Sequence, residues 1–252
     1  MDVDNFYVVL PSNSRPDNTC ARFRTTLATE LAMVGEWECA LVDITTPNNT
    51  RTILADDELT LSRTMPNSDE QLGWTFGMMR ANYSKLEDMI ADANTMLNNY
   101  NSTVGDYATF FEWGNNQIIL KFNGGGVWFI DMTPNMAAVF GFDSKQLPAY
   151  NVTNEIFGIY PWDSKAGRRA LYVYLDIIDC SHVGDSFVPL LRVVPIKESD
   201  ARTDRQFTSP HYYRVSRKNI REIEVTIRDD TGGLFPFDSG KSVLKLHFRR
   251  RR

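Results

Sequence analysis

Glu222-Ile223-Glu224-Val225-Thr226-Ile227-Arg228 is the stretch that decides the fold, and the turn sequence Asp229-Asp230-Thr231-Gly232-Gly233 follows it directly. A second alternating run, Leu244-Lys245-Leu246-His247-Phe248, precedes the four terminal arginines, Arg249, Arg250, Arg251 and Arg252. Apolar and polar residues that alternate with period two are typical of strands with one buried side and one solvent-facing side. We therefore predict that the last third of the chain is β structure almost to its final residue.

The same period recurs upstream of this stretch. It predicts strands at residues 6–10, 23–27, 36–44, 59–61 and 171–177. Residues 187–196 are mostly apolar, and Pro189 and Pro195 there predict a sheet edge or strand ends. The charged segment 198–208 is predicted to be a long loop. About eight strands separated by turn signals favour an antiparallel sandwich or barrel, with the jelly roll and the immunoglobulin-like sandwich as leading candidates.

The middle of the chain has a different pattern. Apolar residues take helical spacing after Tyr83, and Ser84 with Glu87 fits a capping box, so a helix is predicted over residues 84–98. Two short strands around Asn123-Gly124-Gly125-Gly126 are predicted to form a hairpin. Thr133-Pro134 opens a second short helix that Gly141 closes. These elements predict an α+β insertion over residues 79–145, within a discontinuous jelly-roll domain formed by residues 1–78 and 146–252.

Composition narrows the class of protein. The 252 residues are 42% hydrophobic and 23% charged, which is ordinary for a globular protein. The net charge of −5 makes the body as a whole a poor partner for nucleic acid. The sequence shows neither an apolar run long enough to cross a bilayer nor a secretory signal, so we expect a soluble protein that is made inside a cell and has no membrane partner. Three scattered cysteines do not suggest a disulfide framework.

Motifs for catalysis are weak. His182 follows Cys180 by two residues, a spacing that matches no standard zinc pattern and does not make a catalytic dyad. His211 is interpreted as an aromatic packing or interface residue, and His247 as a surface residue. The glycines at 124–126 are followed by no Lys-Ser/Thr pair, so they are not a phosphate loop. We therefore predict no catalytic, cofactor-binding or metal-binding residues, and no enzymatic activity.

The strongest charge feature is the run Arg249, Arg250, Arg251 and Arg252. On a flexible end, four arginines are suited to contacting the phosphates of packaged or bound nucleic acid. The alternatives are a solubilising tail or a tail that pairs with acidic patches on a neighbouring subunit. Tyr172 and Tyr174 lie on the more polar side of their strand, where they form either an exposed interaction surface or a side that the insertion covers.

A family resemblance is spread over nearly the whole chain. Its most specific part is C-terminal, and the motifs are Phe6-Tyr7-Val8-Val9-Leu10-Pro11-Ser12-Asn13-Ser14, Gly35-Glu36-Trp37-Glu38, Leu190-Leu191-Arg192-Val193-Val194-Pro195, Pro210-His211-Tyr212, Ile227-Arg228-Asp229-Asp230-Thr231-Gly232, Pro236-Phe237 and Leu246-His247-Phe248-Arg249-Arg250. The set resembles the minor capsid, or penton, proteins of Polinton/Maverick elements and of the related adintoviruses.

The resemblance implies a single jelly roll that forms homopentamers at the fivefold vertices of an icosahedral particle. The implied partners are copies of itself and a double-jelly-roll major capsid protein, and the implied location is the virion, assembled inside the host cell. It implies no cofactor. One alternative is a carbohydrate- or receptor-binding jelly-roll module that uses Trp113, Trp128 or Trp162 to stack on sugars. Another is a cupin-like enzyme, which needs a histidine cluster that three dispersed histidines do not suggest.

Overall fold

The computed structural model describes residues 4–64, 71–78, 82–104, 109–122, 127–143, 145–152, 155–197 and 202–251. The helices and strands follow in this order: β1 Asn5–Pro11, β2 Arg22–Ala32, β3 Trp37–Pro47, β4 Glu58–Thr64, β5 Gln71–Gly77, α1 Leu86–Val104, β6 Thr109–Gly114, β7 Gln117–Phe122, β8 Val127–Met132, α2 Pro134–Phe140, β9 Ala149–Val152, β10 Glu155–Phe157, β11 Ala170–Leu175, β12 Ser181–Val183, β13 Ser186–Val188, β14 Leu190–Pro195, β15 Arg202–Gln206, β16 Tyr213–Arg214, β17 Asn219–Arg228 and β18 Val243–Arg250. No helix in these ranges is long and apolar enough to span a membrane.

Two compact units divide the chain. The first combines residues 1–50 with residues 168–252, and the second comprises residues 51–167. The second unit extends beyond the predicted insertion, 79–145, at both ends. The reason lies in strand pairing: β4 and β5 pair with each other, and β4 and β9 both pair with β8, so these flanking strands join the sheet of the insertion. An alternating strand does not reveal in its sequence which sheet it joins.

The first unit is a jelly roll. One sheet has the order β1-β18-β3-β15, with β16 also paired to β3, and the other has the order β14-β11-β17-β2. Every pairing is antiparallel and nested along the chain: β1 with β18, β2 with β17, β3 with β15 and β11 with β14. This is the order produced when one long antiparallel hairpin is rolled into two sheets. The predicted single jelly-roll sandwich with an inserted α+β segment is therefore confirmed.

The core of the first unit is made by the alternation that defined its strands. Ile223, Val225 and Ile227 of β17 are fully buried, as are Leu244, Leu246 and Phe248 of β18. They pack into one cluster with residues from both sheets, including Leu10, Phe23, Cys39, Leu41, Ile44, Leu171, Val173, Leu175, Leu191 and Val194. Burial at this scale is the main stabilising term of the sandwich, at roughly 25 cal/mol per Å² of apolar surface.

The segment predicted to be a long loop, residues 198–208, contains a strand. β15 pairs with β3 along its whole length, from Arg202 opposite Pro47 to Gln206 opposite Asp43. Thr203 is buried, while Arg202 and Asp204 are exposed. The strand contains no apolar residue that would indicate it in the sequence. Backbone hydrogen bonds to β3 hold it at the sheet edge, where charged side chains are typical because they prevent a further strand from pairing. β14, by contrast, is the edge strand that Pro189 and Pro195 indicated.

The second unit contains two sheets and two helices. Its sheets have the orders β10-β7-β6 and β5-β4-β8-β9. The predicted hairpin between β7 and β8 is wrong, because β7 pairs with β6 and β10, and β8 pairs with β4 and β9. The turn that forms is the two-residue loop Asn115-Asn116, where both residues have positive φ as a type I′ turn requires. Gly124, Gly125 and Gly126 lie outside the described residues.

Two helices complete the second unit. α1 is tied to β6 by the Asn94 side chain, which donates to the Phe111 carbonyl at 2.8 Å and accepts from its N–H at 2.6 Å. α2 begins at Pro134 and ends at Gly141, which adopts φ 78°, as predicted. A side chain at Gly141 would collide with the Tyr160 carbonyl. The core of this unit centres on Trp128, Phe140, Leu61, Met89 and Ile118.

Candidate interaction surfaces

The arginine run begins inside the last strand. Arg249 and Arg250 are the final residues of β18, and Arg252 lies outside the described residues. The Arg249 guanidinium donates to Glu38 Oε2 through Nε at 3.0 Å and Nη2 at 2.9 Å. Its Cζ lies 3.5 Å from the ring centroid of Tyr212. Arg249 is therefore held between a carboxylate and an aromatic ring.

Arg250 and Arg251 are fixed by their backbones but differ in charge pairing. The Arg250 N–H donates to the Asp4 carbonyl, and the Arg251 N–H donates to the Glu36 carbonyl, both at 2.9 Å. The Arg251 side chain lies 3.5 Å from Glu36 and 3.8 Å from Glu38. Arg250 donates to the Val34 carbonyl at 3.4 Å and has no carboxylate within ion-pair distance in the described part of the chain. Carboxylates thus partly neutralise Arg249 and Arg251, whereas Arg250 is exposed and has no counterion among the described residues.

An aromatic row lies beside the arginines on the outer side of the β1-β18-β3 sheet. Tyr7 pairs with His247 across β1 and β18, and their rings stack at 4.5 Å. The Tyr212 hydroxyl lies 2.7 Å from His247 Nδ1. Burial, and next the positive charge of Arg249, lower the pKa of His247. A shallow groove of about 680 Å³ here, the arginine groove, is lined by Asp4, Asn5, Glu38, Tyr212, His247, Arg249, Arg250 and Arg251.

A second groove lies on the outer side of the other sheet. Its floor is formed by Tyr172, paired with Arg228, and Tyr174, paired with Thr226. The β12–β13 hairpin contributes Val183, Asp185 and Val188 to its wall. This tyrosine groove, of about 520 Å³, is also lined by Leu175, Asp176, Ser186, Pro189, Glu224, Asp229, Asp230, Thr231 and Gly232. The two tyrosines that the sequence singled out are therefore half-buried and share one concave surface.

The tyrosine groove is rich in carboxylates, and their counterions differ. Burial alone would raise the pKa of Glu224, but hydrogen bonds and charges from Arg24 and Arg22 outweigh it and lower the pKa. Burial raises the pKa of Asp176 despite its ion pair with an arginine. Asp230 is exposed and has no cation within pairing distance among the described residues. The same holds for Asp185, whose carboxylate accepts from the Ser186 hydroxyl at 3.2 Å.

The carboxylate of Asp229 organises the loop at the end of this groove. Its Oδ1 accepts from the Thr231 N–H at 3.1 Å, the Thr231 hydroxyl at 2.6 Å and the Gly233 N–H at 3.1 Å. Its Oδ2 accepts from Arg168 Nε at 3.2 Å, and both side chains are buried. The Asp-Asp-Thr-Gly-Gly motif of the sequence is therefore a loop folded around one buried carboxylate.

Other residues that the sequence singled out lie apart from these grooves. His182 is exposed and packs on Phe187 at 5.1 Å between ring centroids, and His211 is exposed. Cys180 is exposed, whereas Cys39 is buried, and burial raises the pKa of its thiol. Within the described ranges, no three His, Cys, Asp or Glu side chains are grouped to hold a metal ion.

The three tryptophans suggested for sugar stacking differ in exposure. Trp128 is 0% exposed in the second core, so it cannot stack on a ligand. Trp113 is 40% exposed and Trp162 is half-buried. Phe157, Ile159 and Tyr160 of the same unit are also exposed. The sequence did not single these residues out, because an apolar residue at the end of a short strand or in the loop after it does not show that it faces solvent.

Comparisons with known proteins identify similarity at the level of solved structures. No protein-family model and no curated protein matches the chain. Among solved structures, the chain is similar to the crystal structure of the selenomethionine-labelled mavirus penton protein, with a TM-score of 0.49 and 10% sequence identity. The similarity covers 97% of this chain and 99% of that chain. The jelly-roll assignment itself rests on the strand order described above.

Proposed function

We propose that this chain is a penton-type minor capsid protein that forms homopentamers at the fivefold vertices of an icosahedral particle. The observation that carries the proposal is the complete nested strand pairing of a single jelly roll. The sequence motifs that resemble Polinton/Maverick and adintovirus pentons supply its family, and the double-jelly-roll major capsid protein is its neighbour in the shell. The role is structural, without a catalytic step, and the place of action is the virion.

The resembling motifs occupy structural positions of the jelly roll. Phe6 stacks on Phe248 at 4.9 Å and lies 5.5 Å from Trp37, so three of the motifs meet at one end of the sandwich. The Ile227–Gly232 motif contains Asp229, around which the groove loop folds. These motif residues thus stabilise the packing of the sandwich and are not arranged as a reaction centre, which supports a structural role.

The first experiment measures the mass of the assembled protein. Native mass spectrometry of the purified chain, alone and with its major capsid protein, is expected to show a species five times the mass of the 28.8 kDa chain. A ring built from one repeated heterologous contact closes at a defined number of copies. A strictly monomeric protein under every assembly condition would contradict the proposal.

A carbohydrate- or receptor-binding module is the second candidate. It is favoured by the exposed Trp113, Phe157, Ile159 and Tyr160 in the second unit, since exposed aromatic residues suit stacking on sugar rings. A glycan array that compares the wild-type chain with Trp113→Ala tests it. Binding that is lost in the variant supports this candidate, and an array without signal dismisses it.

A further inference from the structure

The tyrosine groove presents carboxylates without counterions above an aromatic floor. Asp185 and Asp230 are exposed at its rim and lack a cationic partner among the described residues, while Tyr172 and Tyr174 form the floor. Its volume of about 520 Å³ falls in the range of sites that hold small groups or single side chains. Of the five carboxylates that line the groove, those of Asp176, Glu224 and Asp229 are paired with arginines, so it is Asp185 and Asp230 that favour a cationic ligand.

The floor of the groove already accommodates a guanidinium. The Cζ of Arg228 lies 5.9 Å from the ring centroid of Tyr174, the geometry of a cation–π contact. A cation that enters from outside would meet the same floor and, in addition, the two rim carboxylates. The chemistry that fits is therefore an arginine or lysine side chain carried on a partner segment.

The densest positive segment of this chain is its own arginine end. Arg250 has no carboxylate partner in the described part of the chain, and Arg251 makes only long ion pairs. Backbone hydrogen bonds to Asp4 and Glu36 hold these residues at the β1-β18-β3 sheet. The tyrosine groove lies on the other sheet of the same sandwich. An arginine end held at the β1-β18-β3 sheet can therefore reach a tyrosine groove only on another copy.

We infer that the arginine end of one copy docks in the tyrosine groove of the next copy. The contact joins two different surfaces, so it is heterologous, and repetition of it closes a ring when the rotation allows. This inference rests on the proposed function, since it names the surfaces through which the proposed ring forms.

Charge reversal with rescue tests the contact. Asp185→Lys with Asp230→Lys, or Arg250→Glu with Arg251→Glu, is expected to raise the dissociation constant of the oligomer at least about tenfold, and all four changes in one chain to restore it to within about threefold. Asp17→Lys, at a 70% exposed side chain outside the groove, is the matched control. If either pair of charge reversals leaves the dissociation constant unchanged, or if the variant with all four changes does not recover it, the inference is overturned. Circular dichroism confirms that each variant is folded.

A second measurement separates this inference from the proposed function. A fluorescein-labelled peptide of residues 243–252 is expected to bind the full chain, with affinity that falls between about 0.1 M and about 1 M salt because the Debye length shortens from about 10 to about 3 Å. If the peptide binds but the protein forms no ring, the proposed function is contradicted and the docking is not. If a ring forms and the charge reversals do not weaken it, the docking is contradicted and the proposed function is not. Binding of a single-stranded oligonucleotide that Arg250→Glu abolishes, or of an oligosaccharide that Asp230→Lys abolishes, would reassign the surface concerned and overturn the docking.

Discussion

Replacement of Asp229 removes the one carboxylate around which the groove loop folds. The side chain is 6% exposed, and its partner Arg168 is 7% exposed. Asp229→Ala deletes the acceptor of four hydrogen bonds and leaves the Arg168 guanidinium buried without this counterion. Asp229→Asn keeps one oxygen for the loop hydrogen bonds but places an amide NH2 opposite Arg168, so it removes the charge and the acceptor of the Arg168 hydrogen bond. The two substitutions therefore separate loop hydrogen bonding from ion pairing.

The magnitude follows from burial. Breaking a buried ion pair from one side costs about 3–5 kcal/mol, so Asp229→Ala is expected to lower the free energy of unfolding of the first unit by this amount. Asp229→Asn is expected to cost about 1.5–3 kcal/mol, the value of hydrogen bonds to charged groups. The neighbouring Asp230 is exposed and serves as the matched control, because Asp230→Asn should change stability by no more than about 0.5 kcal/mol.

Trp37 offers a local reporter for this measurement. It is the sole tryptophan in residues 1–50 and 168–252, and it is buried in the jelly-roll core. Urea unfolding followed by the ¹⁹F resonance of 5-fluorotryptophan at this position reports on the first unit alone. Equal midpoints for Asp229→Ala and the control Asp230→Asn would refute the reasoning, because they would show that neither the ion pair nor the loop hydrogen bonds stabilise the fold.

Three further predictions concern other parts of the chain. Leu246→Ala removes a fully buried side chain and is expected to lower the free energy of unfolding by about 2–5 kcal/mol in urea titrations. Asp57→Ala in the second unit leaves the half-buried Leu54 N–H and Thr133 hydroxyl without their acceptor, and we expect about 0.5–1.5 kcal/mol of destabilisation for each lost hydrogen bond, seen as faster hydrogen exchange at α2. The lowered pKa of His247 disfavours its protonation in the folded state, so stability is complete above about pH 6.5 and falls as the pH drops from there through the lowered value. His247→Gln should lose less stability than the wild type on acidification to about pH 5.5, and equal losses in urea titrations would contradict the assignment.

The sequence predicts the strands that bury one of their two sides in the core. Residues 222–228 of β17 and 244–248 of β18 alternate because every second residue enters the core, and both strands lie where the sequence predicts them. β15 escapes prediction because it contains no apolar residue, and its backbone pairing with β3 leaves no pattern in the sequence. The pairing of β7 with β6 escapes prediction because the glycines after β7 are a stronger turn signal than Asn115-Asn116, although it is the asparagines that form the hairpin turn.

The candidate surfaces were visible only as fragments. The sequence identifies the arginine run, but it cannot show that Glu38 and Glu36 lie across the sheet from Arg249 and Arg251. Likewise, Tyr172 is separated from Asp230 by more than fifty positions, and only the pairing of β11 with β17 brings both to one groove. Contacts between distant strands depend on register, which local patterns do not specify.

The rotational symmetry of the oligomer tests the central claim most directly. Class averages from electron microscopy of the assembled protein are expected to show rings of five equal densities, each the size of one jelly roll with its inserted unit. Rings of three or six, or particles without rotational symmetry, would contradict the account.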